Sequence, residues 1–228
     1  MLAEVEAMLT LEAQRWVTRG LPLGIAVLAV LLLTPLAGLV AMALNPEEAI
    51  GLSPFPAPPH GGEEGRGLAP LFTPEVQRWS AQILAWAQAY HLDPNLIATV
   101  MQIESCGDPL ARSPSGAIGL FQVMPFHFGA REDPWDPETN ARAGLSYLAE
   151  AWRKAGGNVA QALAGYNGGH TVIGRPERWG AETRRYVYWG VGIYEDARRG
   201  AAQSARLQEW LEAGGRSLCE QAARRIIR

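Results

Sequence analysis

Asp93-Pro94-Asn95-Leu96-Ile97-Ala98-Thr99-Val100-Met101-Gln102-Ile103-Glu104-Ser105 is the stretch that decides the fold. Asp93 and Pro94 form a helix start: a side chain able to cap free amides, then a proline whose fixed φ suits the first turn. Ile97, Val100, Met101 and Glu104 recur at i, i+3, i+4 and i+7, so one helical face carries three apolar side chains and a carboxylate. A carboxylate on that stripe is partly desolvated, which raises its pKa toward the range where a general acid works near neutral pH. Periodicity alone leaves a second reading equally open: a glutamate at a frayed helix end that bends out to water.

The same grammar repeats on either side. Thr73-Pro74-Glu75 supplies an N-cap, a first-turn proline and an acidic first turn, and opens an apolar face of Val76, Ile83, Leu84 and Trp86 that runs toward Tyr90. A Gly/Ser/Pro-rich stretch from Gly107 to Gly119 follows the helix that bears Glu104. Asp136-Pro137-Glu138 opens a helix that ends near Gly156-Gly157; Asn158 caps the next, which stops at Gly168-Gly169. Segments of about 181–198 and 202–226 are helical by period. No run alternates cleanly enough to be a strand. The expectation is one mainly α domain over residues 73–228, with at most a small hairpin and no internal repeat.

Upstream the composition changes twice. Residues 45–72 hold six prolines and five glycines, among them Pro58, Pro59, Gly61 and Gly62, a mixture that holds neither a helix nor a central strand. This is a linker, with a reach of roughly 30 Å when coiled and about 85 Å when drawn out as polyproline II. Before it, Leu21 to Leu44 is an uncharged run. As a helix it spans roughly 36 Å, enough to cross a hydrocarbon core of about 30 Å. A transmembrane helix is expected over 20–44, with Pro35 tolerated inside it. The rival reading is a cleaved signal peptide, since Ala41-Met42-Ala43 looks like a small-x-small cleavage site, but signal peptides carry apolar regions of only ~7–15 residues. Arg15 and Arg19 precede the span and Glu47 and Glu48 follow it, so residues 1–19 are expected in the cytoplasm and everything after Leu44 outside.

Of 228 residues, 48% are hydrophobic, which excludes a disordered chain, and the net charge of −3 argues against nucleic acid as a partner. No Cys/His cluster has metal-ligand spacing, and neither a metal nor another cofactor is implied.

Four motifs bear on function. Glu104-Ser105-Cys106-Gly107-Asp108-Pro109 leads into Ser113-Pro114-Ser115-Gly116-Ala117-Ile118-Gly119-Leu120-Phe121-Gln122-Val123-Met124-Pro125. Ala164-Gly165-Tyr166-Asn167 and Glu182-Thr183-Arg184-Arg185-Tyr186-Val187 follow in order, with Asp133-Pro134-Trp135-Asp136-Pro137 through Asn140 between. Over roughly residues 73–195 this resembles the soluble lytic transglycosylase (SLT) domain family, whose fold is lysozyme-like. The resemblance implies a peptidoglycan-cleaving enzyme acting on the β-1,4 bond between N-acetylmuramic acid (MurNAc) and N-acetylglucosamine (GlcNAc). In that family one glutamate protonates the leaving oxygen and then takes the proton of the muramoyl C6 hydroxyl, leaving a 1,6-anhydro sugar. Glu104 matches this acid/base. Ordinary glycosidases use two carboxylates. The nearest other acid in sequence, Asp108, reads as a turn residue beside Pro109, which suits a nucleophile supplied by the substrate.

The resemblance carries further roles. Ser113 and Gln122 match residues that contact the sugar near the acid, and Met124 matches one lining the groove, though it reads equally well as core. Tyr166 matches a groove tyrosine on an inward stripe, so its hydroxyl needs a partner: a sugar, Glu104 or a structural acceptor. Asn167 matches a substrate-binding residue and could equally cap a helix end. Glu182 matches an acid that binds substrate or orients the site. Phe121 stands where the family has methionine. Gly165 stands where it has alanine, which should loosen that helix by about 1 kcal/mol.

Cys106 and Cys219 are the two cysteines, and outside the membrane they are expected to form a disulfide pinning the C-terminal helix to the active-site helix; the alternative is a free thiol at Cys106. His127 lies near the expected groove but reads first as a structural histidine. Most of the eight tryptophans occupy core-like helix positions. Two rivals to a transglycosylase stay open: a hydrolytic muramidase on the same fold, and a non-catalytic glycan-binding scaffold.

Overall fold

Residues 67–226 are described by the computed structural model. Expectations for 1–19, 20–44 and residues 45–66 lie outside the described residues. Among the described residues no helix is long and apolar enough to cross a membrane.

The helices are α1 (Pro74–Gln77), α2 (Ser80–Tyr90), α3 (Pro94–Ser105), α4 (Pro137–Lys154), α5 (Val159–Gly168), α6 (Ala181–Arg198), α7 (Ala205–Trp210) and α8 (Arg216–Ile226). A π-helical turn, Leu211–Gly215, joins α7 to α8. Local caps explain several starts. Asp93 accepts from Asn95 N (2.8 Å), Asp136 from Thr139 N (2.8 Å), Asn158 from Gln161 N (3.0 Å) and Ser204 from Leu207 N (3.1 Å). Thr73 corrects the pattern. Its side chain makes no cap hydrogen bond. The hydroxyl lies 3.2 Å from Cys106 Sγ instead, and the helical pattern it opens breaks in two before Ser80.

No strand occurs among the described residues; the loop after α3 holds two isolated bridges, Arg112–Ile118 and Ile118–Val123. Asn140 of α4, 1% exposed, ties that loop down. Its amide donates to Ile118 O (2.8 Å) and Pro134 O (3.0 Å), and its carbonyl accepts from Phe121 N (2.9 Å).

Helix α3 runs through the core and packs against α1, α2, α6 and α8. Every residue from Asn95 to Ser105 except Glu104 is buried. A helix buried on all sides must satisfy its polar side chains internally. Asn95 Oδ1 accepts from Ala69 N (2.9 Å), Thr99 donates to Asn95 O (2.7 Å), Gln102 Oε1 accepts from Thr73 N (3.1 Å) and Ser105 donates to Leu120 O (2.7 Å). The first of these bonds corrects the linker reading of 45–72. Ala69, Leu71 and Phe72 are buried in the core, so the packed unit begins before residue 73. Leu71 and Phe72 are large apolar side chains at the end of that Pro/Gly-rich stretch, and burying them is favourable by about 1.5–3 kcal/mol each.

Behind Glu104 the chain turns at Cys106 (φ 51°) and is fastened to α8 twice. A disulfide joins Cys106 to Cys219, with Cα atoms 5.0 Å apart. Arg225 Nη1 lies 2.8 Å from Oδ2 of buried Asp108.

Candidate active site

Glu104 opens onto a cleft of about 530 Å³. Ile103 and Glu104 of α3 and Asn167 of α5 line one part of it. Helix α6 supplies Glu182, Arg185, Tyr186 and Trp189, at i, i+3, i+4 and i+7, so a single helical face forms a wall. Trp210 and Ala213, from α7 and the π turn, complete the lining. Gly190 lets α6 come this close: a Cβ there would sit 2.8 Å from Leu163 Cδ1 of α5.

The Glu104 carboxyl is pushed up to about 8, chiefly by desolvation, with the Glu182 charge adding to the rise. The Tyr186 hydroxyl opposes both by interacting with the carboxylate. That interaction falls short of a well-formed hydrogen bond, for Tyr186 Oη is buried without a partner of good geometry. Tyr186 and Tyr166 are themselves raised well above 10, first by burial and then by the Glu104 charge, so both stay protonated donors. The site at neutral pH is therefore a mostly protonated carboxylic acid with a phenol beside it, and Glu182 stands exposed on the neighbouring helix.

Of the residues singled out in the sequence, Glu104, Asn167 and Glu182 share the cleft. Asn167 Oδ1 accepts from Thr183 Oγ1 (2.8 Å), which ties α5 to α6. Tyr166 is not in the lining; its hydroxyl donates to Phe121 O (2.7 Å), a structural bond. Ser113 and Gln122 hold the loop after α3 in shape. Ser113 Oγ accepts from Ala117 N (2.9 Å), and Gln122 Nε2 donates to Gly119 O (3.0 Å) and Ala111 O (3.2 Å). Gln122 itself has φ 45°, a left-handed conformation that these bonds help fix. Met124 is half-buried ahead of the short turn Pro125–His127.

Asp108 is a turn residue, as its place beside Pro109 suggests, and takes no part in the cleft. Asp108 is occupied by Arg225 and by Leu110 N (2.9 Å), and the second carboxylate of the cleft is Glu182. Sequence reasoning also passed over Arg185, Tyr186, Trp189 and Trp210. The first three carry a signal, helical spacing from Glu182; Trp210 carries none, since only tertiary packing brings it in. Glu75 converges with Cys106 and Cys219 to within 4.8 Å, but both sulfurs are in the disulfide and offer no thiolate to a metal.

A family model described as Transglycosylase SLT domain matches residues 81–188. The chain is 37% identical over 111 residues to a transglycosylase of Enterobacteria phage PRD1, covering 48% of this chain and 40% of that one. It is 33% identical over 92 residues to membrane-bound lytic murein transglycosylase E of Buchnera aphidicola subsp. Acyrthosiphon pisum, covering 35% of this chain and 42% of the relative. It is 36% identical over 88 residues to soluble lytic murein transglycosylase of Escherichia coli, covering 33% and 13%. A solved structure of an inactive variant of lytic transglycosylase Slt from Pseudomonas aeruginosa aligns at TM-score 0.41 and 23% identity, covering 61% of this chain and 24% of that one. The chain thus spans about two-fifths of the length of the first two relatives.

Proposed function

We propose, from the premise that residues 81–188 belong to the transglycosylase SLT domain family, that this chain is a peptidoglycan lytic transglycosylase. It cleaves the MurNAc-β-1,4-GlcNAc bond and leaves a 1,6-anhydro-MurNAc end, with Glu104 as acid and base. The observation that carries this reading is the environment of Glu104, the one residue of Asn95–Ser105 that is not buried, opening on a cleft with its pKa pushed up to about 8. A group in that state can give up a proton at neutral pH and take one back.

In the proposed reaction Glu104 donates its proton to the glycosidic oxygen as the C1–O bond breaks. The muramoyl C6 hydroxyl attacks C1, and the Glu104 carboxylate takes the hydroxyl proton. One C–O bond forms, one breaks, the acid is regenerated and no water is consumed. Tyr186, held protonated, is placed to donate to the carboxylate during its ionised interval. Asn167 and Glu182 are proposed to position the sugar in the cleft. Ser113, Gln122, Met124 and Tyr166 shape the loop and core beside it.

Hydrolysis is a second reading with an observation of its own: Glu182 lines the cleft with Glu104, and paired carboxylates serve hydrolytic glycosidases. Product mass from purified sacculi separates the two, since the anhydro end is one water lighter. Glu104→Gln should lower release of soluble muropeptides by at least ~10²-fold. Release at the wild-type rate would remove Glu104 from the mechanism.

The proposed location is the cytoplasmic membrane, single-pass through 20–44, with the N-terminus inside and the SLT domain outside. The apolar run, the disulfide and relatives named membrane-bound lytic murein transglycosylases E and C support it. Protease added to intact spheroplasts should digest residues beyond the span; full protection of the SLT domain would reverse the topology.

A further inference from the structure

Two arginines stand side by side on α6, and the fold uses them differently. Arg184 Nε donates to Trp179 O (2.9 Å), which fastens the start of α6 to the segment before it. Arg185 is exposed, lines the Glu104 cleft, and makes no ion pair or side-chain hydrogen bond among the described residues. It is the one basic side chain in a lining whose other ionisable groups are Glu104, Glu182 and Tyr186.

Glu182 lies three residues earlier on the same helix face, yet the two side chains are not paired. An exposed pair at that spacing is weak in any case, so little would hold the guanidinium back from a ligand. Nor does Arg185 act on the reacting carboxyl. Burial, Tyr186 and Glu182 set the proton affinity of Glu104. A cation beside that acid would lower its pKa and weaken it as a proton donor. Arg185 brings a positive charge to the cleft without doing so.

The substrate of the proposed function supplies the matching anion. GlcNAc is neutral. MurNAc carries a lactyl group whose carboxyl is either free or joined to a peptide stem that has carboxyls of its own. Negative charge near the bond therefore belongs to the muramoyl substituent. A guanidinium presents paired N–H donors that fit the two oxygens of a carboxylate. We propose that Arg185 is a specificity residue that binds a carboxylate of the muramoyl substituent, so that the cleft favours strands bearing that charge over neutral ones. The inference rests on the proposed function and deepens it, from the bond that is cut to the group carried beside it.

The test uses the full chain in detergent with three preparations of uncrosslinked glycan strands. One bears peptide stems, one is stripped of peptide so that the lactyl carboxylate is free, and one is stripped and then amidated at the lactyl carboxyl. Arg185→Ala should raise KM about tenfold on a carboxylate-bearing preparation, with kcat unchanged and KM on the amidated strands unchanged. A rise on stripped strands alone assigns the lactyl carboxylate, a rise on peptide-bearing strands alone assigns the stem, and a rise on both means that either serves. Wild-type KM on the recognised strands should climb with salt more steeply than that of Arg185→Ala. An unchanged KM on both carboxylate-bearing preparations, an equal rise on the amidated strands, or the same salt dependence in both proteins would overturn the proposal while leaving the catalytic reading intact. Should wild type cleave no strand at all, the catalytic reading fails, and Arg185 is then judged by calorimetric binding of the same preparations. A Kd weakened about tenfold by Arg185→Ala on carboxylate-bearing strands alone supports it, and an equal Kd refutes it.

Discussion

The Tyr186 hydroxyl is aimed at the Glu104 carboxyl without completing a hydrogen bond of good geometry to it. A buried phenol without a partner is costly, and a carboxylate is a better acceptor than a carboxylic acid. The pair is thus weakly coupled while Glu104 is protonated and strongly coupled once it ionises. Glu182, one turn earlier on α6, acts in the opposite sense by disfavouring a second negative charge.

These opposed influences predict opposed shifts. Glu104 must start protonated, so kcat/KM should fall as pH rises through a pKa of about 8. Tyr186→Phe removes the interaction that favours the carboxylate and should move that falling limb to higher pH. Glu182→Gln removes the repulsion and should move it to lower pH. Full pH–rate profiles of the three proteins check this; shifts in the same direction would contradict the arrangement.

The same pKa has a stability consequence. Glu104 is raised from an ordinary value of 4.5 to about 8, so between those limits the folded state binds more protons than the unfolded one. Stability from this group is therefore present below pH 4.5 and is lost as pH rises through 8. Glu104→Gln should be more stable than wild type at pH 8.5 by roughly 2 kcal/mol, less than the whole shift implies because the side chain is partly open to water. At pH 4.5 the two should unfold at nearly the same urea concentration.

What the sequence disclosed, and what it hid, divides along local and non-local lines. The starts at Asp93, Asp136 and Asn158 are legible because each cap is satisfied two or three residues away. Ile97, Val100 and Met101 are legible as the inward stripe, and all three are fully buried. The opposite face is not legible. Asn95, Thr99 and Gln102 look solvated by period, yet they are buried because Ala69 N and Thr73 N, more than 25 residues away in sequence, bring partners to two of them. The cleft divides in the same way: Glu182 and Tyr186 belong to one motif, whereas Trp210 reaches the cleft only through the packing of the C-terminal segment.

That segment is fastened by the disulfide, which closes a loop with a sequence separation of 113. Loops of that size lose enough unfolded-state entropy for the crosslink to stabilise by about 3–5 kcal/mol. The double replacement Cys106→Ala/Cys219→Ala should lower the stability by that amount, measured by urea unfolding without reductant. Adding reductant should bring wild type down to the double variant and leave the variant where it was. Equal stability of the two oxidised proteins would show that α8 is held by packing and the Arg225–Asp108 pair alone.

Gly165 tests how far helix propensity can be read without the fold. On propensity alone, Gly165→Ala should stabilise α5 by about 1 kcal/mol. In the structure a Cβ at residue 165 would lie 2.6 Å from both Cγ1 and Cδ1 of Ile173. Those atoms belong to a half-buried side chain just after the turn His170–Val172, so the side chain can move, but only by giving up its packing on α5. Overpacking of this kind costs about 1–3 kcal/mol, which outweighs the propensity gain. Gly165→Ala should therefore destabilise by about 1 kcal/mol. In an Ile173→Ala background, where the blocking atoms are gone, the same change should stabilise by about 1 kcal/mol. A thermal-denaturation double-mutant cycle gives the coupling directly, and a change of the same sign in both backgrounds would mean that Ile173 is not what keeps residue 165 a glycine.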